Sequence, residues 1–272
     1  MNGTQFTAAR RSLTRRLLEA LAELFTGLGS WRQADADRFT AQAVPLVRAG
    51  QATLGQLVAA HLAHEAARAL RAPVPVPVLT EHDLVDLREG ISDREVYRRP
   101  FTTVYAALAQ DKPLPEAVEH GRARLVQIAE ADLQQTHSRA NRAALTGLPA
   151  PARPRFWRRE LVGEESCALC VLASTQRYRV EDLTPVHPGC DCRVQPIYGR
   201  DPGHVLDAAR TKRLHAAVAE LTGRADPGGR TVDYRQLLVA STAEHGELGT
   251  LLVRPRDRFT TRADITKEIP AA

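Results

Sequence analysis

At 272 residues, with 43% hydrophobic and 25% charged side chains, the chain has an ordinary globular composition and apolar material for two modest domains. No uninterrupted apolar run approaches the roughly 18 residues of a bilayer-spanning helix, so no membrane role is expected. The net charge is +5, and of 37 cationic side chains only Lys112, Lys212 and Lys267 are lysine. Arginine suits bidentate contact with phosphate or carboxylate, which favours DNA or an acidic protein as partner; a coding bias toward arginine and alanine explains the same numbers equally well.

Residues 4–28 repeat apolar side chains at helical spacing, with Leu13, Leu17, Leu21, Leu24 and Leu28 on a stripe that Leu18 and Phe25 widen. The spacing predicts an amphipathic helix. Arg10, Arg11, Arg15 and Arg16 cluster in its first half and offer a contact for nucleic acid or a partner, the plainer reading being a solvated helix face. A second helix is expected over 34–49, kinked at Pro45, and a third over 53–70 along Leu54, Leu57, Val58, Leu62 and Ala66. His61 and His64 lie three apart on that third helix and are spaced to share a metal, but with no nearby acid or third ligand surface histidines are the favoured reading.

The run Pro73-Val74-Pro75-Val76-Pro77-Val78 cannot be helical, because each proline removes a donor and restricts the residue before it. It reads as an extended linker over 73–80, separating an N-terminal helical bundle or arm (1–72) from a helical segment (81–150). Ser92-Asp93-Arg94-Glu95 has the form of a capping box, so a helix should start there and be bent or interrupted at Pro100. The longest helical pattern follows over 116–145, with Val118, Leu125, Ile128, Ala129 and Leu133 on its buried side.

The stretch 151–253 reads as a separate cysteine-rich domain. Residues 156–162 have the composition of a strand, and Arg155, Arg158 and Arg159 around Phe156 and Trp157 combine cations with aromatics in a way that suits single-stranded nucleic acid; core packing with an arginine rim is the favoured alternative. A hairpin should return through 178–183, and 193–198 form a last strand. Helices are expected over 205–221 and 233–239, and 254–272 reads as an extended or disordered tail.

All four cysteines fall between these strands. Cys167 and Cys170 form a C-x-x-C pair, and after 19 further residues Cys190 and Cys192 form a C-x-C pair, with His187 three positions ahead of Cys190. Soft ligands from two loops suit a tetrahedral structural zinc, and five donors compete for its four positions. Disulfides and uncombined thiols are the alternatives, the former disfavoured because no secretory leader is read. The fold class expected is mainly α with a small α+β, zinc-stapled C-terminal part.

Ser166-Cys167-x-x-Cys170, Tyr178, Pro185-x-His187-Pro188-x-Cys190-x-Cys192-Arg193 and Pro196 together resemble the C-terminal motif of phage Mu F-like minor head proteins. The blocks Ala-Ser-Thr-Gln-Arg-Tyr and His-Pro-Gly-Cys-Asp-Cys are similar to versions from tailed phages of actinobacteria, and the close likeness covers 158–196. The resemblance implies a non-enzymatic virion component that acts in head morphogenesis in the head interior or at the portal vertex, after assembly in the host cytoplasm. Its implied partners are the portal protein, the major capsid or scaffold protein and the packaged DNA. Two other readings compete: a metal-dependent nuclease or other DNA-processing enzyme, and a zinc-stapled DNA-binding module. The nuclease needs an acid or asparagine beside His187 that the sequence does not supply, so no catalytic residue is assigned. The DNA-binding module needs its arginines to fall on one face.

Overall fold

The computed structural model describes residues 1–85, 87–88, 90–162, 174, 177–183, 192–199, 241–245 and 249–253. Five helices make up most of this: α1 (Gly3–Thr26), α2 (Gln33–Leu70), α3 (Glu81–Leu84), α4 (Asp93–Leu108) and α5 (Leu114–Gly147). Their starts are written in the local sequence. Glu95 N donates to Ser92 Oγ at 3.3 Å while Ser92 N donates to Glu95 Oε2 at 2.9 Å, the reciprocal box expected there. Asn2 with Gln5 starts α1 in the same way, and Thr80 with Asp83 starts the short α3, which the sequence reading passed over.

One helix stands where two were expected. α2 runs unbroken for 38 residues through Pro45 and Gly50, and α4 likewise continues through Pro100. A proline removes only one intrahelical bond, and packing on the neighbouring helices outweighs that loss. Gly50 serves as a close-approach point, since a Cβ there would lie 2.9 Å from Leu17 Cδ2.

The core is continuous across the Pro-Val run. Phe25 of α1 stands edge-on to Trp31, Phe39 of α2 and Phe101 of α4, with ring centroids 4.9, 5.4 and 5.2 Å away. The run itself is extended, as its prolines dictate, and carries Val74 and Leu79 against the core while Val78 stays exposed. It therefore joins two parts of one hydrophobic interior.

α5 lies at the centre, with α1, α2, α3 and α4 all packed on it. That enclosure buries the expected Leu125, Ile128, Ala129 and Leu133, and also the polar run Asp132, Gln134, Gln135, Thr136, His137, Ser138 and Asn141. Burying polar side chains is costly unless other groups satisfy them; here Thr136 Oγ1 donates to Leu84 O at 2.9 Å and Asp132 is paired with Arg88, while Gln134 Nε2 and His137 Nε2 have no hydrogen-bond partner among the described residues.

Beyond α5, β1 (Phe156–Glu160) is the middle strand of an antiparallel sheet, flanked by β2 (Arg177–Arg179) and β3 (Arg193–Ile197). A separate hairpin pairs β4 (Ser241–His245) with β5 (Gly249–Val253), strands the sequence reading did not anticipate. The described chain is thus mainly helical with a small antiparallel sheet. Cys167, Cys170, His187, Cys190, the expected helices over 205–221 and 233–239 and the tail over 254–272 lie outside the described residues.

Candidate functional site

The sheet meets the bundle along its inward face. Cross-strand partners point the same way, so the register Trp157↔Tyr178 and Trp157↔Pro196 puts these three side chains on one face, with Arg159 and Val194 beside them. Trp157 is fully buried, packs 5.1 Å from the Tyr178 ring and donates its Nε1 hydrogen to Arg179 O at 2.8 Å. Cys192 continues the inward alternation of β3 and is only 5% exposed.

Arginines of the helices fasten this layer. Arg10 Nη1 donates to Cys192 O at 3.4 Å, Arg11 Nη2 to Val162 O at 3.1 Å, and Arg142 Nη2 to Leu183 O at 2.8 Å. These three carbonyls flank the two cysteine-bearing segments in the sequence. A guanidinium satisfies a backbone acceptor that no ladder partner reaches, and a charged donor makes the bond stronger than a neutral one.

Behind Cys192 lies a buried cluster of rings and cations. His61 stacks on Phe6 with centroids 4.3 Å apart and planes 11° from parallel, and His137 lies 6.2 Å from the same Phe6 ring. The Nε2 atoms of both histidines are buried without a hydrogen-bond partner. Burial first, then the neighbouring Arg10 charge, pushes the His137 pKa down to about 3, and burial lowers that of His61. Both rings are therefore neutral at physiological pH. The expectation of two surface histidines is corrected for His61, which is 2% exposed because α1 lies across it; His64 is half-exposed.

The arginines singled out in the sequence separate into three groups. Arg10 and Arg159 are 7% and 4% exposed, so they do not form part of a contact surface: one reaches a carbonyl, and the other lies 5.1 Å over the Trp157 ring with its Nη1 3.2 Å from Cys192 Sγ. Arg11, Arg15 and Arg16 stay on the exposed side of α1, Arg11 tied to Val162 and Arg15 3.9 Å from Glu19. Arg158 belongs to the outward side of the sheet, where register sets it opposite Arg177 on one side and Gln195 on the other, and Phe156 opposite Arg179 and Ile197; Arg155, just before β1, is exposed with its guanidinium 5.9 Å from the Phe156 ring centroid. Arg177 and Arg179 are both exposed and were not singled out from the sequence. The signal for them was present, because alternate residues of a strand share a face and Arg177-Tyr178-Arg179 alternates.

A cleft of 420 Å³ borders this outward side, lined by Glu65, Arg68, Arg158, Gln195, Ile197 and Tyr198. Glu65 is engaged by Arg68 at 3.0 Å, and burial together with the Glu65 charge raises the Tyr198 pKa to about 12, so the Tyr198 hydroxyl is not poised to move a proton near neutrality.

Of the five expected metal donors only Cys192 is described, and among the described residues no group of three His, Cys, Asp or Glu side chains is placed to hold an ion. The surroundings of Cys192 fit an anionic ligand: zinc held by four thiolates is doubly negative, and by three thiolates and a histidine singly negative, so an Arg159 guanidinium on the sulfur offsets that charge.

Searches against protein-family models, curated proteins and solved structures return no match for this chain. The fold and site define a class only, that of a mainly α-helical protein whose small antiparallel sheet is bonded to the bundle by arginine-to-carbonyl contacts.

Proposed function

We propose that this chain is a minor head protein of a tailed bacteriophage, related to the phage Mu F-like group. It acts without catalysis in head morphogenesis, in the head interior or at the portal vertex, beside the portal and the major capsid or scaffold protein and in contact with packaged DNA. The observation that carries this reading is the block from Ser166 to Pro196, in which Cys167, Cys170, His187, Cys190 and Cys192 stand at the family's spacing among its Pro, Tyr and Arg positions. Support comes from the architecture: a rigid bundle with one central helix, whose arginines grip the carbonyls of Val162, Leu183 and Cys192, is suited to presenting a surface rather than to opening and closing on a substrate.

Zinc is the cofactor of this reading, and when bound it supplies a crosslink between distant segments. Cys192 would enter that site already held from behind by Arg10 and Arg159. Crosslinking of assembled heads followed by mass spectrometry tests the assignment. Crosslinks to the portal ring are expected, and crosslinks confined to non-structural host proteins would overturn it. Metal analysis of the purified chain tests the staple separately, with one zinc per chain as the expected result.

A further inference from the structure

The run between α2 and α3 is held extended from both ends. Arg71 closes α2 in the left-handed region, at φ 54°, with its N–H on Ala67 O, and the Thr80–Asp83 box opens α3. Between them Val74 and Leu79 pack on the core, and Pro77 is half-buried against the end of α5, where a Cβ on Gly147 would lie 3.3 Å from Pro77 Cβ. Pro73, Pro75, Val76 and Val78 face water, the two valines at 55% and 93% exposure. Val74 and Pro77 turn inward three residues apart, the period of a polyproline II helix. Pro73 with Val76 and Pro75 with Val78 then form the two ridges that such a helix shows outward when its third is packed.

These ridges are ordered before any partner arrives, because each proline locks φ and the packed ridge anchors the back. Three prolines in six residues also unbalance the backbone, which over 73–78 carries six carbonyl acceptors and three N–H donors. A segment that served only to connect two helices would show polar side chains to water. This one shows apolar ridges. At its start the exposed Arg71 has no ion pair among the described residues, whereas Arg68 is tied to Glu65 and, beyond the run, Glu81 lies 3.6 Å from Arg48.

We propose that residues 71–78 are a docking segment for a partner protein that reads polyproline II through a groove lined by Tyr and Trp rings, with a carboxylate at the end that meets Arg71. Rings fit because they fill the spaces between Pro and Val side chains, and their O–H and N–H groups donate to a backbone rich in acceptors. The carboxylate fixes the direction in which the run lies in the groove. Pairing as an added β-strand is the weaker fit, because a strand turns every second residue inward and the prolines leave one of its edges without a donor. A second copy of this chain fits less well too, since both tryptophans are buried and Tyr105 already gives its hydroxyl hydrogen to Trp31 O at 2.8 Å. The inference names a surface and a partner chemistry that the proposed function leaves open, and it does not rest on the phage reading.

Photoreactive benzoylphenylalanine, placed at position 76 or 78 of the full chain and irradiated in the cells that naturally make it, tests the proposal. Position 114, another exposed apolar site, is the control. Crosslinks from 76 and 78 are expected to fall on one protein, beside Tyr or Trp residues, and to be suppressed by a free peptide of residues 71–79. The same peptide with glycine at 73, 75 and 77 loses its bias toward polyproline II and should compete about tenfold less well. Val76→Ser with Val78→Ser should weaken binding of the chain to the captured protein and leave its urea midpoint unchanged, since both valines are exposed. The proposal is overturned if 76 and 78 crosslink no more than 114, if the captured segment has no aromatic residue, if the two peptides compete equally, or if the only chain captured is a second copy. Capture of a protein foreign to the head would sink the phage reading and leave this one standing.

Discussion

Arg159 Nη1 donates to Cys192 Sγ across 3.2 Å, and the same guanidinium lies 5.1 Å over the Trp157 ring, so one side chain of β1 ties its own strand to the residue that leads into β3. Lysine would keep the charge and lose both the fork and the stacking plane. Arg159→Lys is therefore expected to destabilise the fold by about 1–2 kcal/mol, read as a lower urea midpoint at unchanged slope. A midpoint equal to wild type would mean that the charge alone matters there.

The buried His137 ring predicts a specific loss of stability in acid. In the unfolded chain a histidine takes up its proton near pH 6.5, whereas in the fold His137 resists protonation until about pH 3. Between those values the unfolded state binds the extra proton, so stability falls as pH falls, by roughly 1.4 kcal/mol per pH unit from this group, and the effect saturates below the lower value. Replacement by a neutral side chain in His137→Gln should flatten the pH profile relative to wild type. Urea titrations between about pH 7 and 4.5 measure the difference, and parallel profiles would rule out the buried ring as the cause.

A second buried network joins α4 and α5. Asp132 accepts from the Tyr97 hydroxyl at 3.0 Å and is paired with Arg88, and burial holds its carboxyl above the ordinary range while Arg88 and then Tyr97 pull it back. Removing only the phenol in Tyr97→Phe should lower stability by about 1–2 kcal/mol. Asp132→Asn leaves the Arg88 cation buried without its countercharge and should lower it by about 3–5 kcal/mol. Arg88→Met should be the milder change, because Asp132 can answer by taking up a proton. Thermal denaturation of the three variants gives the order, and an Arg88 variant less stable than the Asp132 variant would contradict this account.

Gly121 is a point of close approach of α5 to α1 and α4. A Cβ at that position would lie 2.5 Å from Val104 Cγ2, 2.9 Å from Phe25 Cζ and 3.0 Å from Pro100 O. The backbone oxygen cannot swing aside, and Phe25 is already fixed by three aromatic neighbours. Gly121→Ala should therefore destabilise by about 1–3 kcal/mol despite its better helix propensity. A calorimetric midpoint at or above that of wild type would show that the helices can separate there without loss.

Local rules made the helices and their starts legible. The leucine stripe of α1, the Ser92–Glu95 box and the prolines of 73–80 each act through neighbours a few residues away, so their outcome is contained in a short window. The strands over 156–160 and 193–197 were legible for the same reason, and the cysteine spacing set the metal reading and the resemblance. Continuity of α2 through Pro45 and Gly50 was not legible, because the packing that sustains it comes from four other helices.

Which arginines are buried was decided only in three dimensions. Arg158 and Arg159 are neighbours of identical composition, yet strand alternation sends one outward opposite Arg177 and the other inward onto Cys192. His61 likewise looks like a surface residue until α1 folds across it and sets Phe6 against its ring. The sequence by itself determined most of the helices, the strands around Trp157 and Val194, the extended Pro-Val run and the cysteine spacing, because these are set by short-range sterics and periodicity. Only the tertiary structure decided which charges were taken out of water and which were left exposed, because burial depends on what the rest of the chain places alongside.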